Sequence, residues 1–105
     1  MSEMDLLIIG RSRNTVDAAV ERVRAAGFTA RGVTTDDEAL AALGTGEFAH
    51  LVIGGGVEKK SRPALKEVAG RHGVAVHEAR RNGRDVATYL EQEVYPRLRG
   101  ARPSP

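Results

Sequence analysis

The chain has 105 residues, of which 16 are basic and 14 acidic, for a formal net charge of +2. That length is close to the common size of one domain: long enough to bury a single core without staples, and too short for two. With no cysteine, disulfides, thiolate metal sites and a cysteine nucleophile are all excluded, and the absence fits a reducing, cytoplasmic setting.

The longest apolar runs, such as Leu6 to Ile9, fall far short of the ~20 residues a membrane helix needs. Met1 to Asp5 lacks the basic flank of a signal peptide, so the sequence predicts a soluble protein with no membrane partner. Nucleic acid is not an expected partner either. The basic residues are interspersed with acidic ones, and the aromatics that would stack bases are confined to Phe28, Phe48, Tyr89 and Tyr95.

Leu6 to Gly10 reads as a first strand, apolar on both faces as a strand covered by helices on each side must be. Asn14 is the predicted N-cap of a helix from Thr15 to Ala26, in which Val16, Ala19, Val20 and Val23 form one apolar stripe and which Gly27 ends. Phe28 to Thr34 is a weaker strand, and Arg31 and Gly32 inside it suit a sheet edge. Thr35 and Glu38 spell a capping box before a short helix carrying Ala39, Leu40 and Leu43.

His50 to Ile53 is a short apolar run that stops at Gly54, Gly55 and Gly56, the pattern of a central strand ending in a loop shaped by backbone. A third helix is predicted from about Arg62 to His72, with Pro63 in its first turn and Leu65, Val68 and Ala69 on its apolar face. Val74 to Ala79 reads as a fourth strand. Asn82-Gly83 then turns into a last helix carrying Val86, Leu90 and Val94, ended near Tyr95 by Pro96. These elements predict a single α/β domain over 1–96 and a loose tail over 97–105. The order is (βα)4, and short right-handed crossovers make a parallel four-stranded sheet of order 2-1-3-4 the default, with the two most apolar strands in the middle.

The strand Leu6 to Gly10, the segment Asp36 to Leu43 and the apolar strand Leu51 to Ile53 resemble the first three units of a receiver (CheY-like) domain, one of the flavodoxin-like folds. The resemblance covers about two thirds of the chain. Receivers carry an acidic pair after the first strand and a phosphoacceptor aspartate after the third, where this chain has Gly10-Arg11 and Gly54, and the fifth unit with its lysine is missing. The resemblance therefore implies a regulatory scaffold without phosphoryl-aspartate chemistry or its Mg²⁺ site. A truncated Rossmann-like nucleotide binder is the competing resemblance.

In a sheet of order 2-1-3-4 the topological switch point lies between strands one and three, where the loops Gly10 to Asn14 and Gly54 to Ser61 meet. Gly10, Gly54, Gly55 and Gly56 let backbone approach a ligand, helix N-termini add positive potential, and Arg11, Arg13 and Lys59 supply charge, with Ser12 and Ser61 as hydroxyls. These residues predict a site for an anionic small molecule, a phosphate or a carboxylate. Gly54 to Ser61 has the Gly, Lys and Ser spacing of a P-loop, but Lys59 stands where the second glycine belongs. Gly10 supplies only the first glycine of a dinucleotide fingerprint.

His77 and Glu78 are expected at the end of the fourth strand beside the same crevice, and His50 at the opposite end of the sheet. Adjacent strand residues face opposite ways, so His77 and Glu78 cannot enter one site together within a strand. No cofactor is specified, and three scattered histidines do not make a metal site. The sequence predicts a non-catalytic regulatory or protein-interaction module, self-associating or holding a protein partner, with an anionic ligand at the crevice. The alternative is a small nucleotide-dependent enzyme or nucleotide-binding protein.

Overall fold

A computed structural model describes residues 4–54 and 56–78. The predicted last helix and the tail lie outside the described residues, as does Gly55. Within them the order is β1 (Met4–Ile9), α1 (Arg13–Ala25), β2 (Ala30–Val33), α2 (Asp36–Leu43), β3 (Phe48–Ile53), α3 (Arg62–Arg71) and β4 (Ala75–Glu78). The four strands form one parallel sheet of order β2-β1-β3-β4. Among the described residues no helix is long and apolar enough to cross a membrane.

Strand alternation divides the apolar residues between two faces. Leu6, Ile8 and Val52 pack with Val16, Ala19, Val20 and Val23 of α1, and Phe28 and Ala30 complete that cluster. Leu7, Ile9, Leu51 and Ile53 face the other way, against Ala39, Ala42 and Leu43 of α2 and Leu65 and Ala69 of α3. The result is a three-layer arrangement in which the two inner strands are buried on both faces, which is why they read as continuous apolar runs.

Two local expectations are corrected, and a third, the edge position of β2, holds with an addition. Helix α1 is capped by Ser12, which has extended backbone and accepts from Thr15 N, so the helix starts at Arg13 and not after Asn14. Both residue types cap well, and the one nearer the strand end takes the position. The second strand is shorter than the apolar pattern, Ala30–Val33, although Phe28 ahead of it is buried. Gly32 is also more than an edge residue, because a Cβ there would lie 2.3 Å from Val16 Cγ1 and 3.0 Å from Val20 Cγ2. Helix α1 rests on backbone at that point.

The histidines are corrected too. His50 is the third residue of β3, and the register His50 to Ala75 and Val52 to His77 puts it on the same sheet face as His77. Their rings meet, His50 Nδ1 lying 3.0 Å from His77 Nε2, and both residues are buried. One ring nitrogen donates and the other accepts. The capping box at α2 is present: Thr35 accepts from Glu38 N, and its hydroxyl donates to the Glu38 carboxylate.

Candidate functional site

The C-terminal ends of β1, β2 and β3 bring three loops together, and one guanidinium links them. Arg11, in the β1–α1 loop, donates from Nη1 to Thr34 O at 2.9 Å and from Nη2 to Asp36 Oδ1 at 2.7 Å. The Nε and Nη2 edge faces the β3–α3 loop, where Nη2 reaches Glu58 Oε2 at 2.7 Å and Nε lies 3.2 Å from Oε2 and 3.3 Å from Oε1. This engagement by a pair of carboxylate oxygens is the geometry in which arginine recognises oxyanions.

Ser61 completes the cluster. Its backbone is the cap position of α3, but its hydroxyl makes no cap; it donates to Asp36 Oδ2 at 2.6 Å. Asp36 is therefore held by a hydroxyl and a guanidinium at once, and its pKa falls below the ordinary carboxylate value, the Ser61 hydrogen bond being the larger cause and Arg11 the next. Glu58 is pushed down to about 2, chiefly by its hydrogen bonds with Arg11. The guanidinium is raised in turn by Glu58 first and Asp36 second.

A second arginine, Arg62, supports the same loop from α3. It donates from Nε to Val57 O at 3.2 Å, from Nη2 to Gly54 O at 3.0 Å and from Nη1 to Glu78 Oε1 at 3.1 Å. Lys66 Nζ pairs with the other Glu78 oxygen at 3.0 Å, and Glu78 is lowered by Lys66 first and Arg62 next. Val57 is buried among the core residues of that face, so the loop is anchored at Gly54 and at Val57.

The expected site residues are thus partly assembled. Gly10, Arg11, Ser61 and Gly54 meet at the rim, and Gly54 N donates to Ile9 O at 2.7 Å, closing the strand ends on each other. Ser12 is exposed and spent on the α1 cap. Arg13 stands at the margin, Nη2 at 3.4 Å from Thr34 Oγ1 and Nη1 at 3.7 Å from Asp17. Gly56 and Lys59 are exposed on the outer loop. His77 is not brought to the rim, since its ring is turned to His50 within the sheet; Glu78 takes that end of β4. Among the described residues no group of three or more His, Asp or Glu is arranged to hold a metal ion.

Asp36, Glu58 and Arg62 were missed by reasoning from the sequence. Glu58 lies in the loop after β3, and Asp36 and Arg62 are the first residues of α2 and α3, so all three stand where the chain leaves a strand's carboxyl end for the next helix, and that placement is the signal that would have found them. Beside the cluster, an open recess of about 470 Å³ is lined by Arg11, Thr34, Thr35, Asp36 and Asp37. It lies at the β1 and β2 ends, while the β1 to β3 gap is spanned by Arg11 and Glu58.

The Glu58 pair sets a sign for pH dependence. A carboxylate whose folded pKa lies below its unfolded one adds stability that is complete above the unfolded value, 4.5 for Glu58, and is lost as pH falls through about 2. The stability difference between wild type and Glu58→Gln, followed by denaturant unfolding, should be constant from neutral pH to about 5 and shrink in more acid solution. A difference that grows on acidification would refute the pairing.

No family model matches the chain, and no curated protein does. Two solved structures share its fold. One is a de novo designed Rossmann 2x2 fold protein determined by solution NMR, 19% identical, with a TM-score of 0.55 over 73% of this chain and 74% of that one. The other is a de novo designed Rossmann fold protein, 14% identical, with a TM-score of 0.59 over 88% of this chain and 96% of that one. At such identities the likeness is one of fold, and the fold is Rossmann-like α/β.

Proposed function

We propose that the chain is a non-catalytic regulatory or protein-interaction module that takes an anionic group, a carboxylate or a phosphate, on the rim between β1 and β3. The observation that carries this reading is the Nε and Nη2 edge of Arg11, aimed at the meeting point of three loops and already engaged by two carboxylate oxygens. Asp36 and Glu58 are held ionised, which makes them poor proton acceptors near neutral pH. The Ser61 proton is committed to Asp36. Both favour binding over reaction chemistry, and a regulatory role is in keeping with the receiver-like pattern of the first three units.

A thermal-shift panel of inorganic phosphate, nucleotides, sugar phosphates and dicarboxylates tests the reading. A ligand present at about a hundred times its dissociation constant adds about 2.7 kcal/mol, which for a domain of this size raises Tm by more than about 10 °C. The shift should disappear in Arg11→Gln. A panel with no response would overturn anion binding, and turnover of a nucleotide would favour the small nucleotide-dependent enzyme.

A further inference from the structure

We infer that Glu58 is a built-in occupant of the rim, so that an incoming carboxylate or phosphate binds by displacing its carboxylate from the Nε and Nη2 edge of Arg11. The inference rests on the reading of the rim as an anion site and adds how that site is regulated.

An arginine offers five N–H donors in a fixed fork. At Arg11 one end of the fork is used inside the cluster, with Nη1 on Thr34 O and Nη2 on Asp36. The edge left for a ligand with two oxygens is the one formed by Nε and the second Nη2 hydrogen. Glu58 lies on it. An external oxyanion that uses Arg11 side-on must therefore compete with this side chain.

The two carboxylates differ in how firmly they are held. Asp36 has a second anchor in the buried Ser61 hydroxyl at 2.6 Å, so it stays and keeps the guanidinium aimed. Apart from Arg11, Glu58 is drawn only to that hydroxyl, 3.5 Å away, and to its own backbone N–H, and its side chain is 49% exposed against 39% for Asp36. Exposed ion pairs are weakly held because water competes for both partners.

Displacement also needs no movement of the loop. Val57 is buried in the core, and Arg62 ties the carbonyls of Gly54 and Val57. Rotation of one exposed side chain empties the edge, a motion on the fast timescale of surface rotamers. Near neutral pH Glu58 is always ionised, so what opens the site is a competing anion and not a proton. The apparent affinity is then reduced by the fraction of time the edge is free. A weak or dilute anion is rejected, and one that also reaches the Thr34 and Thr35 hydroxyls of the neighbouring recess, clear of its two aspartates, is admitted.

The test titrates inorganic phosphate, at constant ionic strength and neutral pH, into wild type, Glu58→Gln and Glu58→Ala. It follows the Arg11 Nε–H resonance in all three and the Glu58 carboxyl carbon in wild type. Both variants should bind phosphate about tenfold more tightly than wild type, because the internal competitor is gone. In wild type the Glu58 carbon should shift along the same curve as Arg11 Nε–H. That joint shift separates displacement from simple relief of charge repulsion. Equal affinities in the three proteins, or saturation of Arg11 with the Glu58 carbon unmoved, would overturn the inference and leave the rim reading standing. An Arg11 resonance that moves in none of them would remove both.

Discussion

Replacing Gly32 with alanine should destabilise the fold by about 2 kcal/mol and lower Tm by about 10 °C. Two effects oppose each other at this position. Alanine restricts the unfolded chain, which favours folding by about 0.4–1 kcal/mol where the native backbone accepts it. Against that, the new Cβ would lie 2.3 Å from Val16 Cγ1, well inside van der Waals contact. Val16 is buried, and a valine in a helix has essentially one χ1 rotamer, so it cannot turn away. Overpacking of this kind costs about 1–3 kcal/mol, and it wins. Val16→Ala should relieve it: the double variant ought to lose less stability than the two single losses added together. Strict additivity in denaturant unfolding would show that α1 does not press on β2 at Gly32.

Gly32 also shows where reading the sequence succeeds and where it stops. Its presence in a strand marks an edge, and β2 is an edge. The strand order follows from the same kind of local signal, since Leu6 to Ile9 and Leu51 to Ile53 are apolar at every position while Ala30–Val33 carries an arginine. What remains hidden is the partner. Val16 stands in the first turn of α1, with the rest of that helix and the turn after it between them in sequence, and no periodicity links the two. The rim is similar: Arg11 was legible as a charged residue in the loop after β1, but its carboxylates lie 25 and 47 residues further on. Composition reports opposite charges as a solvated surface until the topology brings them to one point. Likewise the contact of His50 with His77 depends on the register of β3 against β4, which the residues alone do not set.

Gly54→Val should be the costliest single change at the rim, destabilising by about 2–3 kcal/mol, with Gly54→Ala near about 1 kcal/mol. The competing account makes Gly54 only the first residue of a flexible turn. Its backbone is not in the positive-φ region, unlike that of Gly27, Gly46 and Gly73. On the turn account alanine would therefore be tolerated and even favourable, through the unfolded chain. The structure points the other way. A Cβ on Gly54 would stand 3.1 Å from Ile9 O and 3.4 Å from Gly10 Cα, and these are backbone atoms of the neighbouring strand end, with no rotamer to adopt. Relief requires β1 and β3 to part where Gly54 N now donates to Ile9 O at 2.7 Å. The sign of the Gly54→Ala effect thus decides between the two accounts, and valine, with branching at Cβ, amplifies it. Parting the strands also carries Arg11, which follows Gly10, away from Glu58, which follows the loop after Gly54. The Glu58 pKa should then climb from about 2 toward its ordinary value, a change read in the carboxyl resonance and independent of global stability. An unshifted Glu58 in folded Gly54→Ala would mean that the close approach of the two strand ends does not position the rim.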